Sequence, residues 1–189
     1  MSDKQKFPRS QAVVVATQLI AILRPFVDRI EIAGSLRRSK EEVGDIELLF
    51  IPNVSQVEDG LFGDLKPLDE AAEAIEQMVA DKLLIKRHNS AGHVSAWGPL
   101  NKLARHLPSG IPVDFFAEPD PLDWWRSLVI RTGPAEFNVW LIKSAKAIGV
   151  SVHAYGVGIT NQSGERIPCH GEEEFLRICG IDYLRPENR

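Results

Sequence analysis

The sequence has little cysteine and no long apolar run. Its two cysteines, Cys169 and Cys179, are too few for a disulfide framework and are typical of a reducing compartment. No stretch approaches the ~20 apolar residues that a membrane helix needs, and residues 1–10 lack the apolar core of a secretory signal. We therefore expect a cytoplasmic or otherwise intracellular protein with no membrane partner. A nucleoid context and a viral context both stay open.

Histidine is also scarce and shows no pattern typical of a metal site. The chain has five histidines among 189 residues, and none stands at a spacing that predicts zinc ligation. The composition is otherwise ordinary, with 44% hydrophobic and 25% charged residues. It excludes collagen, coiled coil and long disorder, and the length suits one domain or two small ones.

The formal net charge of −4 hides an uneven distribution of acidic residues. Residues 54–81 contain eight of the 26 acidic residues but one of the 22 basic residues. The remainder, with 18 acidic and 21 basic residues, therefore carries +3 and could bind a polyanion. We expect the acidic segment 54–81 to lie away from the functional site, because an acidic wall there would repel nucleic acid.

Apolar periodicity divides the chain into an α/β first part and a smaller α+β second part, with a boundary near residues 118–130. Helices are predicted at 10–24, 69–79, 123–130, 134–147 and 172–180. Strands are predicted at 29–33, 45–51, 83–87, 93–97 and 111–117, and a hairpin at 150–167. Residues 52–68 are interpreted as a loop.

Two carboxylates stand on one face of the predicted strand 45–51. Asp45 and Glu47 are two residues apart, and alternate residues of a strand face the same way. Adjacent carboxylates repel, so neither can be buried without a neutralising partner. A hard divalent cation with oxygen ligands, Mg²⁺ above all, is the partner that this pattern favours.

A third carboxylate, Asp114, lies in the middle of the apolar strand 111–117. Taken alone it has two interpretations: an acid that meets solvent or an arginine, or a metal ligand. Two strands that each offer an inward acid favour the metal site, in which carboxylates bridge two ions ~3.5–4 Å apart.

An anion-binding turn precedes the acidic strand. Its sequence is Gly34-Ser35-Leu36-Arg37-Arg38, at the predicted junction between a strand and a helix. Glycine allows the backbone to approach a ligand closely, and the following amides, hydroxyl and guanidinium groups favour phosphate. Triphosphate-binding groups would then lie beside metal-binding groups.

These motifs resemble the nucleotidyltransferase superfamily and, more closely, the palm and C-terminal subdomain of family X DNA polymerases, the polymerase β group. The matching stretches are Gly34–Arg38 (G-S-x-R-R), Gly44–Glu47 (G-D-x-D), Asp114, Thr132–Asn138 (T-G-S/P-x-x-F-N), Tyr155, and the tail with Tyr183, Pro186 and Arg189. The resemblance covers roughly residues 7–189 and is similar to the minimal viral members of the family.

The resemblance implies an α+β fold. Residues 1–118 are expected to form a nucleotidyltransferase palm with a mixed or antiparallel sheet and helices, and residues 119–189 a small α+β, thumb-type subdomain. The implied function is a DNA polymerase with two Mg²⁺ ions, for which Mn²⁺ can substitute, that adds dNMPs to a primer 3′-hydroxyl and releases pyrophosphate. Gapped or primer–template DNA and a dNTP are the expected partners, short-gap repair the expected role, and a monomer the expected state.

The resemblance also implies roles for individual residues. Asp45 and Glu47 would bind both metals, and Asp114 would complete the catalytic metal site and help deprotonate the 3′-hydroxyl. The implied nucleotide-binding residues are Gly34, Ser35, Arg38, Gly133 and Asn138, and the Gly133–Pro134 bond is expected to be cis. The implied DNA contacts are Lys102, Arg105, Lys143 and Lys146, although the basic stretch 82–115 is equally interpretable as a solvated face.

Several positions depart from the family pattern. Glu47 replaces the commoner aspartate, and Ile130-Arg131 stand where the family has an aromatic pair. Apolar residues, including Trp140, occupy a helix that in the family often carries basic residues that contact the template. Trp140 could stack on nucleobases or fill a core. Two other functions therefore stay open: a template-independent or ribonucleotide-tolerant terminal transferase, and a non-catalytic DNA-end-binding module.

Overall fold

A computed structural model describes residues 5–59 and 64–189. Residues 1–4 of the predicted palm and residues 60–63 of the acidic segment lie outside the described residues. The helices are α1 (Arg9–Leu23), α2 (Gly34–Arg37), α3 (Glu70–Ala80), α4 (Trp124–Thr132), α5 (Ala135–Ala147) and α6 (Glu172–Ile178). The strands are β1 (Phe7–Pro8), β2 (Val27–Ile32), β3 (Glu42–Val43), β4 (Ile46–Pro52), β5 (Val54–Asp59), β6 (Asp64–Asp69), β7 (Leu84–Lys86), β8 (Asn101–His106), β9 (Pro112–Ala117), β10 (Ser151–Val152) and β11 (Ile159–Thr160). Within the described ranges, no helix is both long and apolar enough to cross a bilayer.

Local sequence explains where three of the helices begin or end. A 3-10 turn containing Pro25 follows α1 directly, because proline cannot continue the helical hydrogen bonding. The Asp69 side chain caps α3 by accepting a hydrogen bond of 2.8 Å from the Ala72 amide. Gly133, with φ of 63°, ends α4, and the Gly133–Pro134 peptide bond is cis, as the resemblance implied.

A five-stranded mixed sheet forms the centre of the first part of the chain. Its strand order is β2-β4-β9-β8-β7. The central pair β4–β9 is parallel, and the other pairs are antiparallel. This sheet and the helices that cover it confirm the predicted α+β fold.

Helices α1 and α3 cover one face of this sheet, which we call the back face. Ile46 and Phe115 of the central strands point into a core cluster with Leu19 of α1 and Ile75 of α3. Because side chains alternate along a strand, Glu47 lies on the opposite face, which we call the front face. The acidic helix α3 is therefore separated from the front-face carboxylates by the sheet, as expected from the sequence.

The second part of the chain has its own core and also packs against the front face. Its core joins Phe137 of α5 to Phe175 of α6 and Val129 of α4. A smaller cluster on the front face joins Phe116 of β9 to Trp124 of α4. This arrangement brings α4 beside the strands that carry the predicted site.

Two sequence-based expectations about strands are wrong. Residues 52–68 are not simply a loop, because β5 and β6 form an antiparallel hairpin. That hairpin pairs with no other described strand. A strand outside the central sheet does not need the alternation of apolar and polar residues from which strands are predicted, and the pattern is weak here. Residues 93–97 contain isolated bridges rather than a strand, and the sheet is instead continued by β8, whose several polar residues conceal its strand periodicity.

Candidate active site

Two of the predicted site residues are direct neighbours on the parallel strand pair. Glu47 of β4 is in register with Asp114 of β9. Both point to the front face, because their strand neighbours Ile46, Leu48, Val113 and Phe115 belong to the back-face core. Parallel pairing thus places two half-buried carboxylates side by side.

The third carboxylate, Asp45, directly precedes β4, and its negative charge acts on the carboxyl group of Glu47. Burial, followed by the negative charges of Asp45 and Asp114, raises the pKa of Glu47 to about 7. Arg131 and Arg38 oppose this shift with their positive charges. Asp45, Glu47 and Asp114 therefore form one electrostatically coupled group, which we call the acid cluster.

Asp114 forms an ion pair with Arg87, which the sequence analysis did not single out. The Arg87 Nη2 atom lies 2.8 Å from Asp114 Oδ1, and both side chains are largely buried. Within residues 5–59 and 64–189, no group of three acidic, histidine or cysteine side chains is already arranged around a common metal position. The three carboxylates are thus near one another without surrounding a common metal position, and the Arg87 guanidinium neutralises one of them, so the convergence on shared ions stays a prediction.

The donor chemistry of the acid cluster fits Mg²⁺. Its ligand atoms are carboxylate oxygens, which hard divalent cations prefer. Glu47, whose pKa is raised by burial and also by two neighbouring carboxylates, lies where a cation is electrostatically favoured. We therefore retain Asp45, Glu47 and Asp114 as the residues able to hold divalent metal.

The predicted phosphate-binding turn lies against the acid cluster. Helix α2 starts at Gly34, whose φ of 62° favours glycine. A Cβ atom at this position would lie 2.5 Å from Glu47 Oε1. The absence of a side chain at Gly34 thus allows the turn and the carboxylate to approach closely.

Three predicted nucleotide-binding residues present buried polar atoms without a hydrogen-bond partner in the described part of the chain. These atoms are Ser35 Oγ, Arg38 Nε and Asn138 Oδ1. Arg38 donates through Nη1 to the carbonyl oxygen of Thr132, and Asn138 Nδ2 donates to Ile130 at 2.8 Å. Since buried polar atoms are usually paired, such atoms on two facing elements indicate a polar ligand.

Arg37, the arginine of the turn that is not among the implied nucleotide-binding residues, contacts protein instead. It forms two hydrogen bonds of 2.8 and 2.7 Å with Glu172 at the start of α6. Arg189 donates to the same carboxylate at 2.8 Å. Glu172 therefore links the turn to the C-terminal tail, which explains why both arginines are engaged away from the acid cluster.

Arg131, known from the sequence as a departure from the family pattern, has a defined place. Its guanidinium carbon lies 3.8 Å from the ring centroid of Phe116, and its Nη2 donates to the Tyr155 hydroxyl at 3.0 Å. It is also close enough to oppose the raised pKa of Glu47. The sequence feature that could have marked Arg131 as a site residue is its position where the family has an aromatic residue. For Arg87 the only such feature is its place in the basic stretch 82–115, which is a weaker indication.

The predicted DNA contacts fall on different surfaces. Lys102 lies on the back face, is 8% exposed, and donates to the Gly98 carbonyl at 2.9 Å. Arg105 shares the front face with Asp114. Lys143 and Lys146 are exposed on α5. A DNA contact by Lys102 stays a prediction, but its buried ammonium is already bonded within the protein.

Comparison with known proteins agrees with this geometry. Residues 127–189 match the family described as DNA polymerase beta thumb. The ternary P/T complex of Leishmania infantum polymerase beta is similar to the chain, with 18% identity, a TM-score of 0.72, and coverage of 98% of this chain and 77% of the other. The ternary gap complex of the same polymerase has 17% identity, a TM-score of 0.76, and coverage of 98% and 71%. Comparison with curated proteins gives no significant match.

These likenesses agree with the topology described above. They extend over nearly the whole chain, whereas the family match covers its C-terminal part. The chain thus contains a segment that matches the polymerase beta thumb, and its fold as a whole is similar to that of polymerase beta.

Proposed function

We propose that the protein is a Mg²⁺-dependent DNA polymerase that adds dNMPs to a primer 3′-hydroxyl and releases pyrophosphate. The observation that carries this proposal is the convergence of Asp45, Glu47 and Asp114 beside the turn at Gly34, where burial and then the charges of Asp45 and Asp114 raise the pKa of Glu47 to about 7. Such a site concentrates negative charge next to groups suited to phosphate. That combination is what metal-assisted phosphoryl transfer needs.

The acid cluster would hold the metals and accept the proton of the primer 3′-hydroxyl. Asp45 and Glu47 would bind both ions, and Asp114 would complete the catalytic metal site. Two bound Mg²⁺ ions, or Mn²⁺ in their place, supply the positive charge that phosphoryl transfer requires. Asp114 would also help remove the proton of the primer 3′-hydroxyl. For this its carboxylate would have to release Arg87 and contact the metal and the hydroxyl instead.

The turn and α5 would hold the nucleotide. Backbone amides after Gly34, the Ser35 hydroxyl and the Arg38 guanidinium would bind the β- and γ-phosphates. Asn138, with Gly133 nearby, would contact the base or sugar of the incoming dNTP. The unpartnered atoms Ser35 Oγ, Arg38 Nε and Asn138 Oδ1 support these assignments.

We further propose a division into a palm over residues 1–118 and a thumb-type subdomain over residues 119–189. Gapped or primer–template DNA would be the substrate, short-gap repair the role, and an intracellular monomer the working form. Arg105, Lys143 and Lys146 are the exposed candidates for DNA backbone contacts. The match of residues 127–189 to a polymerase beta thumb supports the second unit.

One observation favours a second candidate function, a template-independent or ribonucleotide-tolerant transferase. Arg131 replaces an aromatic residue and is bonded to Tyr155, so the usual aromatic barrier to ribose is replaced by a different structure. A non-catalytic DNA-end-binding module is less well supported, because all three carboxylates are present.

Primer extension tests the proposal. We expect the wild type to extend gapped and primer–template DNA with Mg²⁺ and dNTPs, and Asp114→Asn to lower the rate roughly 10³-fold, equivalent to ~4 kcal/mol of barrier. Glu73→Gln, an exposed carboxylate of α3 behind the sheet, is the matched control and should leave the rate unchanged.

Parallel reactions with rNTPs, and with a single-stranded primer alone, separate the two transferase functions. Strict template pairing and rejection of rNTPs would exclude the second candidate. A wild type that adds nothing to any primer end would exclude both.

A further inference from the structure

An open apolar groove, which we call the α3 groove, runs along helix α3 behind the sheet. It lies between α3 and the end of α1, where the 3-10 turn Arg24–Phe26 follows. Two adjoining hollows of about 340 and 470 Å³ form the groove, and both are lined by Phe26 and Ala74. Hollows of this size accommodate several apolar side chains. The apolar floor consists of Ile22, Phe26, Ala74, Met78 and Leu83.

This floor continues the back-face core to the surface of the protein. Ile22, Ala74 and Leu83 are half-buried and pack against that core. Phe26 is 36% exposed, although it is a large aromatic residue. Single exposed apolar residues are common on protein surfaces, whereas a continuous apolar surface with a polar rim marks an interaction site. The α3 groove has this composition.

The rim of the groove carries negative charge. Glu70 and Glu73 line one hollow, and Asp81 lines the other. None of the described residues that line either hollow is basic. Glu70, Glu73 and Asp81 also share one stripe of α3 by their helical spacing. The groove is therefore bordered along its length by carboxylates.

One of these carboxylates stands where the helix itself favours positive charge. Asp81 is the C-cap of α3, and the last turn of the helix contains no basic residue. The helix dipole places partial negative charge at this end, so a carboxylate here costs stability. Gln77 Nε2 donates a hydrogen bond of 2.9 Å to Asp81 Oδ1 but adds no positive charge. A cationic partner would offset this repulsion.

A partner that complements the α3 groove must combine a row of apolar side chains with flanking positive charge. We propose that the groove binds a basic amphipathic α-helix of another protein. The stripe from Glu70 to Asp81 is ~16 Å long at 1.5 Å per residue, which matches about three turns of a bound helix. Apolar side chains at positions i, i+4 and i+7 of that helix would enter the groove beside Phe26, and its lysines or arginines would pair with the acidic rim.

Other occupants complement the groove less well. Its acidic rim would repel nucleic acid, and a symmetric contact between two copies would bring the two acidic rims together. Helix α5 of a second copy does match in charge, because Lys143 and Lys146 are exposed and Trp140 is 48% exposed rather than part of a core. That contact is head-to-tail and predicts rings or open-ended chains rather than a twofold dimer.

The position of the groove makes this inference independent of the proposed function. Helix α3 packs against the back face of the sheet, whereas the acid cluster lies on the front face. A helix bound in the groove would therefore attach the protein to a partner and leave the front face open. The inference stands or falls whether or not the protein extends primers.

Anisotropy of fluorescein-labelled 14-residue peptides added to the full chain tests the inference. The probe contains leucine and lysine, with the leucines on one face of a helix. We expect it to bind the wild type about 10-fold more tightly than a scrambled peptide of the same composition or a version with glutamate in place of lysine. A wild type that binds none of these peptides, or binds all of them equally, would overturn the inference.

Apolar variants locate the bound peptide. Phe26→Ala should weaken binding of the leucine–lysine peptide about 10-fold, because aromatic anchors dominate such interfaces. Leu122→Ala is the matched control, since Leu122 is 54% exposed on the second part of the chain, and it should change nothing. Ala74→Arg places a long charged side chain in the groove and should also block binding, so the test remains informative if Phe26→Ala does not fold.

Charge variants test the acidic rim. Glu70→Gln/Glu73→Gln should weaken binding about 3-fold and reduce its dependence on salt, because exposed ion pairs are modest and screened. Glu41→Gln/Glu42→Gln removes two exposed carboxylates at the opposite end of α1, where the Arg9 amide donates to the Glu41 carbonyl, and is the matched control. Equal effects of the two double variants would mean that net charge, not the groove, attracts the peptide.

Two further results would overturn the inference, provided that circular dichroism shows folded variants. One is wild-type peptide affinity in both Phe26→Ala and Ala74→Arg. The other is self-association of the wild type in sedimentation that Ala74→Arg and Trp140→Ala each abolish, which would make the groove an interface between copies. The groove variants should extend primers at the wild-type rate, so a failure of the polymerase proposal is distinguishable from a failure of this one.

Discussion

The molecule has two regions rich in carboxylates, the acid cluster and the acidic segment 54–81, and the sheet separates the acid cluster from helix α3 of that segment. On the front face, Asp45, Glu47 and Asp114 are brought together by a parallel strand pair and a strand end. The carboxylates of the acidic segment 54–81 lie on the β5–β6 hairpin and on helix α3, which packs against the back face of the sheet. The same residue types thus occur in two opposite physical situations.

The difference lies in how each carboxylate is neutralised. Burial and like charges raise the pKa of Glu47 to about 7. Burial also acts to raise the pKa of Glu76 on α3, but hydrogen bonds from Trp97 and Lys86 outweigh it and lower that pKa below its ordinary value. A high density of acidic residues along the chain therefore does not locate an acid site; long-range strand pairing does.

After the loss of the Asp114 carboxylate itself, the largest expected effect comes from Gly34→Ala, which would displace Glu47 from its place in the acid cluster. The new Cβ would lie 2.5 Å from Glu47 Oε1, and φ of 62° adds backbone strain. We expect nucleotide incorporation to fall about 100-fold, because small misplacements of reacting groups are costly. Gly92→Ala is the matched control: its φ is 79°, but nothing lies within 4 Å of its Cβ. Equal rates for the two variants would contradict the steric explanation.

Glu47→Gln should stabilise the metal-free protein at high pH. A pKa raised from 4.5 to about 7 in the folded state means that wild-type stability, full below pH 4.5, falls as the pH rises towards 7. Above pH 7 we expect the variant to be more stable by about 2 kcal/mol, and at pH 4.5 to match the wild type. Thermal unfolding in chelator measures this difference. Glu73→Gln, an exposed position on α3, is the control for removing a carboxylate, and a constant offset for Glu47→Gln would argue against titration.

Arg87→Gln should tighten divalent metal binding. The guanidinium lies 2.8 Å from Asp114 Oδ1 and competes with a cation for that carboxylate. Removing the competitor should increase Mn²⁺ affinity about 5-fold in titration calorimetry without DNA. Arg105→Gln, on the same face but hydrogen-bonded to Gly110, is the control. Weaker Mn²⁺ binding by Arg87→Gln would mean that Arg87 orients Asp114 rather than competing for it.

The smallest effect is expected behind the sheet. Glu76 lies 3.0 Å from Lys86 Nζ, and the side chains are partly exposed. Glu76→Gln should therefore cost less than about 1 kcal/mol in urea unfolding at pH 7. The lowered pKa of Glu76 means that its contribution disappears as the pH falls below its ordinary range, so wild type and variant should converge near pH 3. A difference that persists at pH 3 would assign the loss to packing against Trp97.

The sequence was informative where local rules decide the structure. Alternation along a strand placed Asp45 and Glu47 together, and the turn at Gly34 followed from glycine and its basic neighbours. Helix α5 was predicted from Pro134 onwards, close to its observed start at Ala135. In each case the signal lies within a few residues.

The sequence was less informative where distant segments meet. The pairing of Arg87 with Asp114 depends on the β7–β8–β9 register, and β8 itself was not recognised. The exposure of Trp140 depends on which side of α5 packs into the core of the second part. Such long-range contacts leave no periodic pattern in the sequence.

The two-residue alternation of the central strands also determines where the chain can change in length. Deleting one residue of β9 ahead of Asp114 would turn this carboxylate into the apolar back-face core, where Phe115 now packs. The β5–β6 hairpin pairs only with itself among the described strands, so a change in its length leaves the other described strands in place. We therefore expect insertions and deletions to be tolerated in the hairpin, whereas in β9 they would remove Asp114 from the acid cluster.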